Sequence, residues 1–379
     1  MEGSPHICYA HGKSMNDSGI ELRPKQDPMS PEQRRSVMQN LGFGRVFTEH
    51  MVTLRYRADS GWDDGVLEPY APLTLDPASS VLHYGQAIFE GFKAYRQKDG
   101  HIASFRPDAN ARRFNASARR LSMPELPVER FVLASDVLIR KEQDWVPPEL
   151  GESLYLRPLM IATEAALGVR PAKEYLFLVF GSPSGSYFSQ GIKPLSVWLC
   201  KEYVRAAEGG TGEAKCAGNY AASLAAQQAA ADQGCQQVIW LDAKERRYVE
   251  EMGGMNLFFV YDDGGKTRLV TPKLTGSLLA GITRDSILNL APELGYTAEE
   301  KLVSVEDWQR DLENGSLREV FACGTAAVIT PIGTVKYEGG SFAIRGAEQS
   351  SVAMTLRERL LSIQHGVTPD KHGWMHRVL

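Results

Sequence analysis

Lys215 stands among small residues, in the run Gly209-Gly210-Thr211-Gly212-Glu213-Ala214-Lys215-Cys216-Ala217-Gly218-Asn219-Tyr220. Lysines ordinarily occupy solvated faces. A lysine lodged among small neighbours can instead lose proton affinity through desolvation and serve as an amine nucleophile, with room beside it for a planar group. Three other segments carry groups that could assist it. Gly281-Ile282-Thr283-Arg284-Asp285 reads as a turn opening a helix. Its N-terminal amides and dipole suit a phosphate, although an ordinary helix cap reads the same way. Gly324-Thr325-Ala326 follows the strand-like Glu319-Val320-Phe321 and offers a hydroxyl and amides, or else is a plain turn. Glu250-Glu251 precedes a strongly apolar strand. Paired glutamates usually mark a solvated strand end, whereas one carboxylate carried into a pocket needs a cationic partner such as a protonated ring nitrogen.

Other chemistries fit less well. A P-loop requires glycine directly before the lysine and Ser or Thr after it, but Ala214 precedes Lys215 and Cys216 follows. No Gly-x-Gly-x-x-Gly fingerprint opens a helix after a strand, so dinucleotide binding is not indicated. The cysteines at 8, 200, 216, 235 and 323 form no Cys-x-x-Cys pair, and the eight histidines are scattered, with no His-x-x-x-His pair on a helical pattern. The expectation is reduced thiols and no metal site.

These residues need elements to position them, and the pattern is mixed α/β in two domains. Residues 1 to about 28 are polar and read as a loose or partner-docked arm. Ser30-Pro31-Glu32-Gln33 reads as a capped helix start. Alternating Phe47, His50, Val52 and Leu54 predict a strand, Pro107 to about Leu121 a helix, and Leu154–Pro158 and Tyr175–Phe180 buried strands. By composition Gly181-Ser182-Pro183-Ser184-Gly185-Ser186 is a linker. Beyond it, a strand over 194–199 and an alanine-rich helix from about Tyr220 to Asp232 are expected, the helix stopping at Gly234. Asp262-Asp263-Gly264-Gly265 reads as a hairpin turn. The division is therefore an extension over 1–30, a smaller N-terminal domain over 31–183, an interdomain loop over 184–194 and a larger C-terminal domain over 195–379.

Lys and Arg number 42 against 46 Asp and Glu, a formal net charge of −4, without the basic excess of a nucleic-acid binder. The N-terminus lacks the apolar core of a signal peptide, and apolar runs such as Tyr175–Phe180 are too short to cross a bilayer. A cytoplasmic enzyme without membrane or nucleic-acid partners is expected.

In their order along the chain, several segments resemble the branched-chain aminotransferases of the fold-type IV pyridoxal phosphate enzymes. They are Leu82-His83-Tyr84-Gly85-Gln86-Ala87-Ile88-Phe89-Glu90-Gly91, Phe105-Arg106-Pro107, Ser153–Pro158, Lys215–Tyr220, Glu251–Asn256, Thr271-Pro272, Leu274-Thr275-Gly276, Gly281–Arg284 and Glu319–Ala326. The likeness runs from about residue 40 to the C-terminus.

The resemblance implies a cofactor, pyridoxal 5′-phosphate, held by Lys215 as a Schiff base, with Glu251 on the pyridine nitrogen and Tyr220 on the ring's 3-oxygen. Arg113, the amides of Ile282 and Thr283, and the Thr325 hydroxyl would bind the phosphate. Phe43, Tyr84, Phe89, Tyr155 and Tyr187 would line the substrate pocket, with the Ala326 amide and Tyr84 hydroxyl near the α-carboxylate. Arg157 would take the distal carboxylate of glutamate or 2-oxoglutarate. Aromatic walls suit leucine, isoleucine and valine, since each buried methylene contributes about 0.8 kcal/mol. The implied reaction is reversible amino transfer between these amino acids and 2-oxoglutarate, in a homodimer.

The sequence departs from the pattern at two places. Gly254 stands where some relatives have threonine, and Ala327 and Thr330 stand where others have a redox cysteine pair. Two rival readings share or discard the chemistry. A D-amino acid aminotransferase or aminodeoxychorismate lyase shares the fold but lacks the N-terminal extension and the Tyr84–Gly91 pattern. A non-catalytic binding module would have no reason to retain Lys215, Glu251, Tyr220 and Thr325 together.

Overall fold

The computed structural model describes residues 9–10, 13–14, 19–39, 41–185, 193–349 and 351–379. The arm expected over residues 1 to 28 lies partly outside them, as does Tyr187. The chain divides into two compact units, Met1–Tyr187 with Ile363–Leu379, and Phe188–Ser362.

In the first unit the described strands form a mixed sheet in the order Met375–Arg377, Ile102–Phe105, Phe92–Arg96, Ser153–Ala162, Glu174–Ser184, His50–Arg57, Val66–Pro69, Glu21–Leu22. The central antiparallel pair, Ser153–Ala162 with Glu174–Ser184, stays in register over its whole length. The helices Pro107–Arg120 and Val128–Lys141 pack together, and Phe92, Phe114, Phe131 and Phe177 interlock between them and the sheet, with ring centroids 5.4 to 6.0 Å apart. Each such ring buries a large apolar area.

Three expectations change here. Gly181–Ser184 is not a linker but the end of a strand, paired with Ser153–Leu156. Its small residues answer to crowding, since a Cβ on Gly181 would stand 3.0 Å from Thr48 Cγ2 and 3.1 Å from Leu154 Cδ1. The last residues were expected in the second domain, but Met375–Arg377 pairs antiparallel with Ile102–Phe105 and so rejoins the first unit. From residue 19 onward the arm is not loose. Ile20 is buried, Glu21–Leu22 pairs parallel with Val66–Leu67, and the Lys25 amide donates to His50 Nε2 at 2.9 Å. The expected capping box at Ser30 and Gln33 is present.

In the second unit the sheet runs Val249–Met252, Gln237–Leu241, Leu195–Leu199, Val328–Tyr337, Leu317–Gly324, Met255–Asp262, Thr267–Pro272, Thr297–Lys301. An additional pairing of Val249–Met252 with Met255–Asp262 closes the first six of these strands on themselves, which removes their open edges. The core gathers Val197, Leu199, Ile239, Leu257, Phe259 and Ile332, with Trp308 edge-on to Phe259 at 5.1 Å. The helix Ala217–Asp232 begins three residues earlier than expected and seats Ala226 and Ala230 against Val238 and Trp240. Small side chains let it lie close to the strand that leads on to Glu251.

Candidate active site

Lys215 lies just before the helix Ala217–Asp232, whose first turn carries Tyr220. Lys215 Nζ donates to Tyr220 Oη at 2.8 Å, and the pair is solvent-accessible. The approach to Lys215 is held by Asn219, buried, whose Nδ2 donates to the Thr211 and Ala214 carbonyls at 2.8 Å each, while Thr211 Oγ1 donates back to Asn219 Oδ1 at 2.7 Å. One short polar side chain thereby satisfies the loop's backbone groups and fixes the lysine's origin.

Glu251 is 1% exposed, in the strand Val249–Met252. Its Oε1 accepts from the Leu279 amide at 2.6 Å, and its Oε2 lies 3.2 Å from Arg205 Nε. Burial pushes its carboxyl above the ordinary carboxylate range, against the pull of Arg205, the Leu279 amide and Lys215. Arg205 is itself buried, with Nη2 donating to the carbonyls of Gly212 and Ser277. Glu251, Arg205, Tyr220, Asn219, Gly254 and Leu279 share the wall of a cavity of ≈ 170 Å³. A Cβ on Gly254 would meet the Tyr220 ring only at 3.7 Å, so the absence of a side chain there leaves open space rather than relieving a clash.

The helix Ile282–Leu290 starts as expected, with Gly281 as its cap and so no capping side chain. Gly281 is required by space: a Cβ would overlap the Oδ1 of Asn256, a side chain whose Nδ2 donates to the Leu279 carbonyl at 3.0 Å. Arg284 turns away from this end, donating to the Pro272 carbonyl at 3.0 Å and pairing with Glu300 at 2.9 Å. Thr325 and Ala326, both half-buried, form the turn between Leu317–Gly324 and Val328–Tyr337. That turn ends in Val328 at φ 64°, a left-handed conformation costly for a β-branched side chain and therefore held by its surroundings. Cys323 beside it is fully buried, which pushes its thiol far above the ordinary range.

The first unit holds a separate cluster. Tyr155 packs edge-on against Phe43 at 5.0 Å, and Arg157 Nη2 donates to Tyr155 Oη at 3.1 Å while its guanidinium lies 4.8 Å from the Phe89 ring centroid. Gly91 admits this arrangement, because a Cβ there would run into the Tyr155 hydroxyl. Tyr84 is engaged elsewhere, its hydroxyl donating to the Leu167 carbonyl. Arg113 makes a two-pronged pair with the wholly buried Glu90, Nε to Oε1 and Nη2 to Oε2 at 2.8 Å each.

Arg205, Asn219 and Asn256 were not singled out from the sequence as holding groups. An arginine ten residues before a lysine carries no distinguishing pattern, and only the fold brings it to Glu251. Among the described residues no group of three or more His, Cys, Asp or Glu side chains could hold a metal ion.

Residues 87–335 match the family model described as amino-transferase class IV. The chain is 58% identical over 363 residues to a probable branched-chain-amino-acid aminotransferase of Streptomyces coelicolor, covering 96% of this chain and 99% of that protein. It is 56% identical over 367 residues to a branched-chain-amino-acid aminotransferase of Mycolicibacterium smegmatis, covering 96% and 100%. Among solved structures it resembles the branched-chain amino acid aminotransferase of Escherichia coli, with TM-score 0.70, 28% identity and coverage of 86% of this chain and 99% of that one. It also resembles the T.th. branched-chain amino acid aminotransferase solved with pyridoxamine 5′-phosphate, with TM-score 0.69, 28% identity and coverage of 86% and 98%.

Proposed function

The chain belongs to the class IV aminotransferases, and we propose that its reaction is reversible amino transfer from L-leucine, L-isoleucine or L-valine to 2-oxoglutarate, giving branched-chain 2-oxo acids and L-glutamate. Near-full-length identity to branched-chain-amino-acid aminotransferases supports this reading. The observation that carries it in this chain is the pairing of Lys215 with Tyr220 in the unit that also buries Glu251 against Arg205.

These residues fit pyridoxal 5′-phosphate. A carboxyl that burial has pushed up is suited to a protonated ring nitrogen, which restores its ionised form. A helix opening on glycine, with its arginine turned away, offers amides rather than a side-chain charge to a phosphate. When bound, the cofactor supplies the electron sink that makes the substrate Cα–H acidic. Lys215 Nζ would hold it and, once released, move the proton to and from the substrate Cα. Tyr220 Oη, already within hydrogen-bond distance of that amine, would hold the ring's 3-oxygen. Glu251 would hold the ring nitrogen, and the amides of Ile282 and Thr283 with the Thr325 hydroxyl would hold the phosphate. Arg113 would add one cation there, its orientation set by Glu90.

Phe43, Phe89 and Tyr155 would line the substrate pocket and exclude water from an aliphatic side chain, at about 0.8 kcal/mol per buried methylene. Arg157, held by Tyr155 and stacked near Phe89, places a cation within that apolar wall. It would take the distal carboxylate of 2-oxoglutarate, so that one pocket serves both substrates. The Ala326 amide would face the α-carboxylate. Tyr84 could join it only by exchanging the Leu167 carbonyl for the substrate. We also propose a homodimer acting in the cytoplasm; among the described residues no helix is long and apolar enough to cross a membrane.

A panel of amino donors with 2-oxoglutarate as acceptor tests the reaction. Glutamate should form with L-leucine, L-isoleucine and L-valine and not with D-alanine. Faster turnover of D-alanine than of L-leucine would overturn the substrate assignment. Wild-type turnover in Lys215→Ala would overturn the role of the lysine.

A further inference from the structure

Glu250 and Glu251 are neighbours in the strand Val249–Met252, and both reach one segment, residues 277–279. Glu250 Oε1 accepts from the Ser277 hydroxyl, and Glu251 Oε1 accepts from the Leu279 amide at 2.6 Å. We propose that Glu250 and Ser277 are positioning residues for the cofactor, fixing the spacing between the carboxyl of Glu251 and the amides of Ile282 and Thr283. Their role rests on the reading in which Glu251 meets the ring nitrogen and those amides meet the phosphate.

Glu250 is 5% exposed and Ser277 2%. A hydroxyl carries one hydrogen; Ser277 gives its own to Glu250, so Thr275 Oγ1, 2.8 Å away, donates to the Ser277 oxygen. The Ser277 carbonyl accepts from Nη2 of Arg205, the arginine that pairs with Glu251. A Cβ on Gly212 would overlap that carbonyl, so the loop before Lys215 lies directly against the same residue. Leu279 is held at its carbonyl too, by Asn256 Nδ2 at 3.0 Å. Side chains thus grip the segment at the Ser277 hydroxyl and carbonyl and at the Leu279 amide and carbonyl. Only Ala280 and Gly281 separate it from Ile282, where the helix begins.

Pyridoxal phosphate has a rigid ring, so its nitrogen and its phosphate are met together only when carboxyl and amides stand at one spacing. The Glu251–Leu279 hydrogen bond is one tie between the strand and the segment. The Glu250–Ser277 hydrogen bond is a second tie, one residue along the same strand, and it stops the segment from pivoting about the first. It also steadies Arg205, because displacing Ser277 would move the carbonyl that Arg205 holds. Burial pushes the Glu250 carboxyl above its ordinary value, while the Ser277 hydroxyl and Arg205 favour the ionised form, the stronger acceptor.

Titration of the cofactor-free full chain with pyridoxal 5′-phosphate and with pyridoxal, followed by absorbance, tests the assignment. Pyridoxal lacks the phosphate and places no demand on the spacing. Ser277→Ala and Glu250→Ala should each weaken pyridoxal phosphate binding about tenfold or more, and pyridoxal binding by less than about threefold. Glu250→Gln keeps a side-chain carbonyl for the hydroxyl and should stay near the wild type for both ligands. Unchanged pyridoxal phosphate affinity in the alanine variants would overturn the proposal. So would equal losses for the two ligands, the mark of a purely structural contact, or a loss in Glu250→Gln as large as in Glu250→Ala. Should one alanine variant fail to fold, the other decides alone. Glu251→Gln should weaken both ligands, and wild-type affinity there would remove the ring-nitrogen contact and the spacing role with it. A loss in Glu251→Gln with none in Ser277→Ala would remove the spacing role alone.

Discussion

Arg205 Nε lies 3.2 Å from Glu251 Oε2, with both side chains less than a tenth exposed. The same guanidinium reaches the carbonyls of Gly212 and Ser277. One side chain thus ties together the loop before Lys215, the strand carrying Glu251 and the segment leading to the helix Ile282–Leu290. Taking two charges out of water is costly, and here the cost is offset by carbonyl and amide partners as well as by the pairing itself.

Removing Arg205 should therefore cost more than a typical surface charge. Arg205→Met leaves a buried carboxyl without its cation, and a loss of about 3–5 kcal/mol is expected from urea unfolding. Glu251 is already raised above its ordinary 4.5 by burial, and losing Arg205 raises it further. A raised acid contributes stability that is full below its unfolded pKa and is lost as pH rises through its folded pKa. The deficit of Arg205→Met should accordingly grow from acidic to neutral buffer. A deficit independent of pH would mean that Arg205 acts only through the two carbonyls.

Gly281 sits at φ −69°, a conformation open to any residue, so its need for glycine is steric alone. A methyl group there would overlap Asn256 Oδ1 and stand 3.3 Å from Arg284 Cβ. Asn256 is buried and cannot retreat without giving up the Leu279 carbonyl. Gly281→Ala should cost about 1–3 kcal/mol through overpacking. Because it tilts the first amides of the helix, it should also weaken pyridoxal phosphate binding to the apoenzyme at least tenfold, as read by absorbance titration. Unaltered cofactor affinity would remove the helix terminus from the phosphate site.

How much of this was legible in the sequence depends on how local the determinant is. The capping box at Ser30, the helix opening at Gly281 and the hairpin at Asp262–Gly265 are set by neighbouring residues and stand where expected. Gly181–Ser184 misleads because glycine and serine in a linker look like glycine and serine in a crowded strand; Thr48 and Leu154, far off in sequence, distinguish them. The pairing of Met375–Arg377 with Ile102–Phe105 and the ion pair of Arg205 with Glu251 are likewise long-range, and no periodicity encodes them. Lys215 and Glu251 were found through motif order. The groups that hold them were not.

Gly91 and Tyr155 form the corresponding steric pair in the first unit. A Cβ on Gly91 would collide with the Tyr155 hydroxyl, and the ring is buried, flanked by Phe43 and bonded to Arg157. Gly91→Ala should therefore displace Arg157 along with the ring. The expected outcome is a rise of about tenfold or more in KM for 2-oxoglutarate, consistent with losing a charged hydrogen bond of about 1.5–3 kcal/mol. Adding Tyr155→Phe to Gly91→Ala removes the first atom to collide and should recover part of the lost stability. If KM for 2-oxoglutarate stays at the wild-type value while stability falls, Arg157 does not receive the distal carboxylate.

His376 Nε2 lies 2.8 Å from Asp136 Oδ2 and pins the C-terminal strand to the helix Val128–Lys141. The hydrogen bond to Asp136 is the main cause raising His376 above its ordinary 6.5, against partial burial and the repulsion of Arg140. A raised histidine contributes stability that is fully present below 6.5 and is lost as pH rises through the folded pKa. The imidazole is 39% exposed, so solvent screening limits the contribution to about 0.5 kcal/mol. His376→Gln should lower the urea midpoint at pH near 5.5 and approach the wild type in alkaline buffer, where the imidazole is neutral in both states. A deficit of equal size at both pH values would assign the contact to packing of the strand rather than to the charged pair.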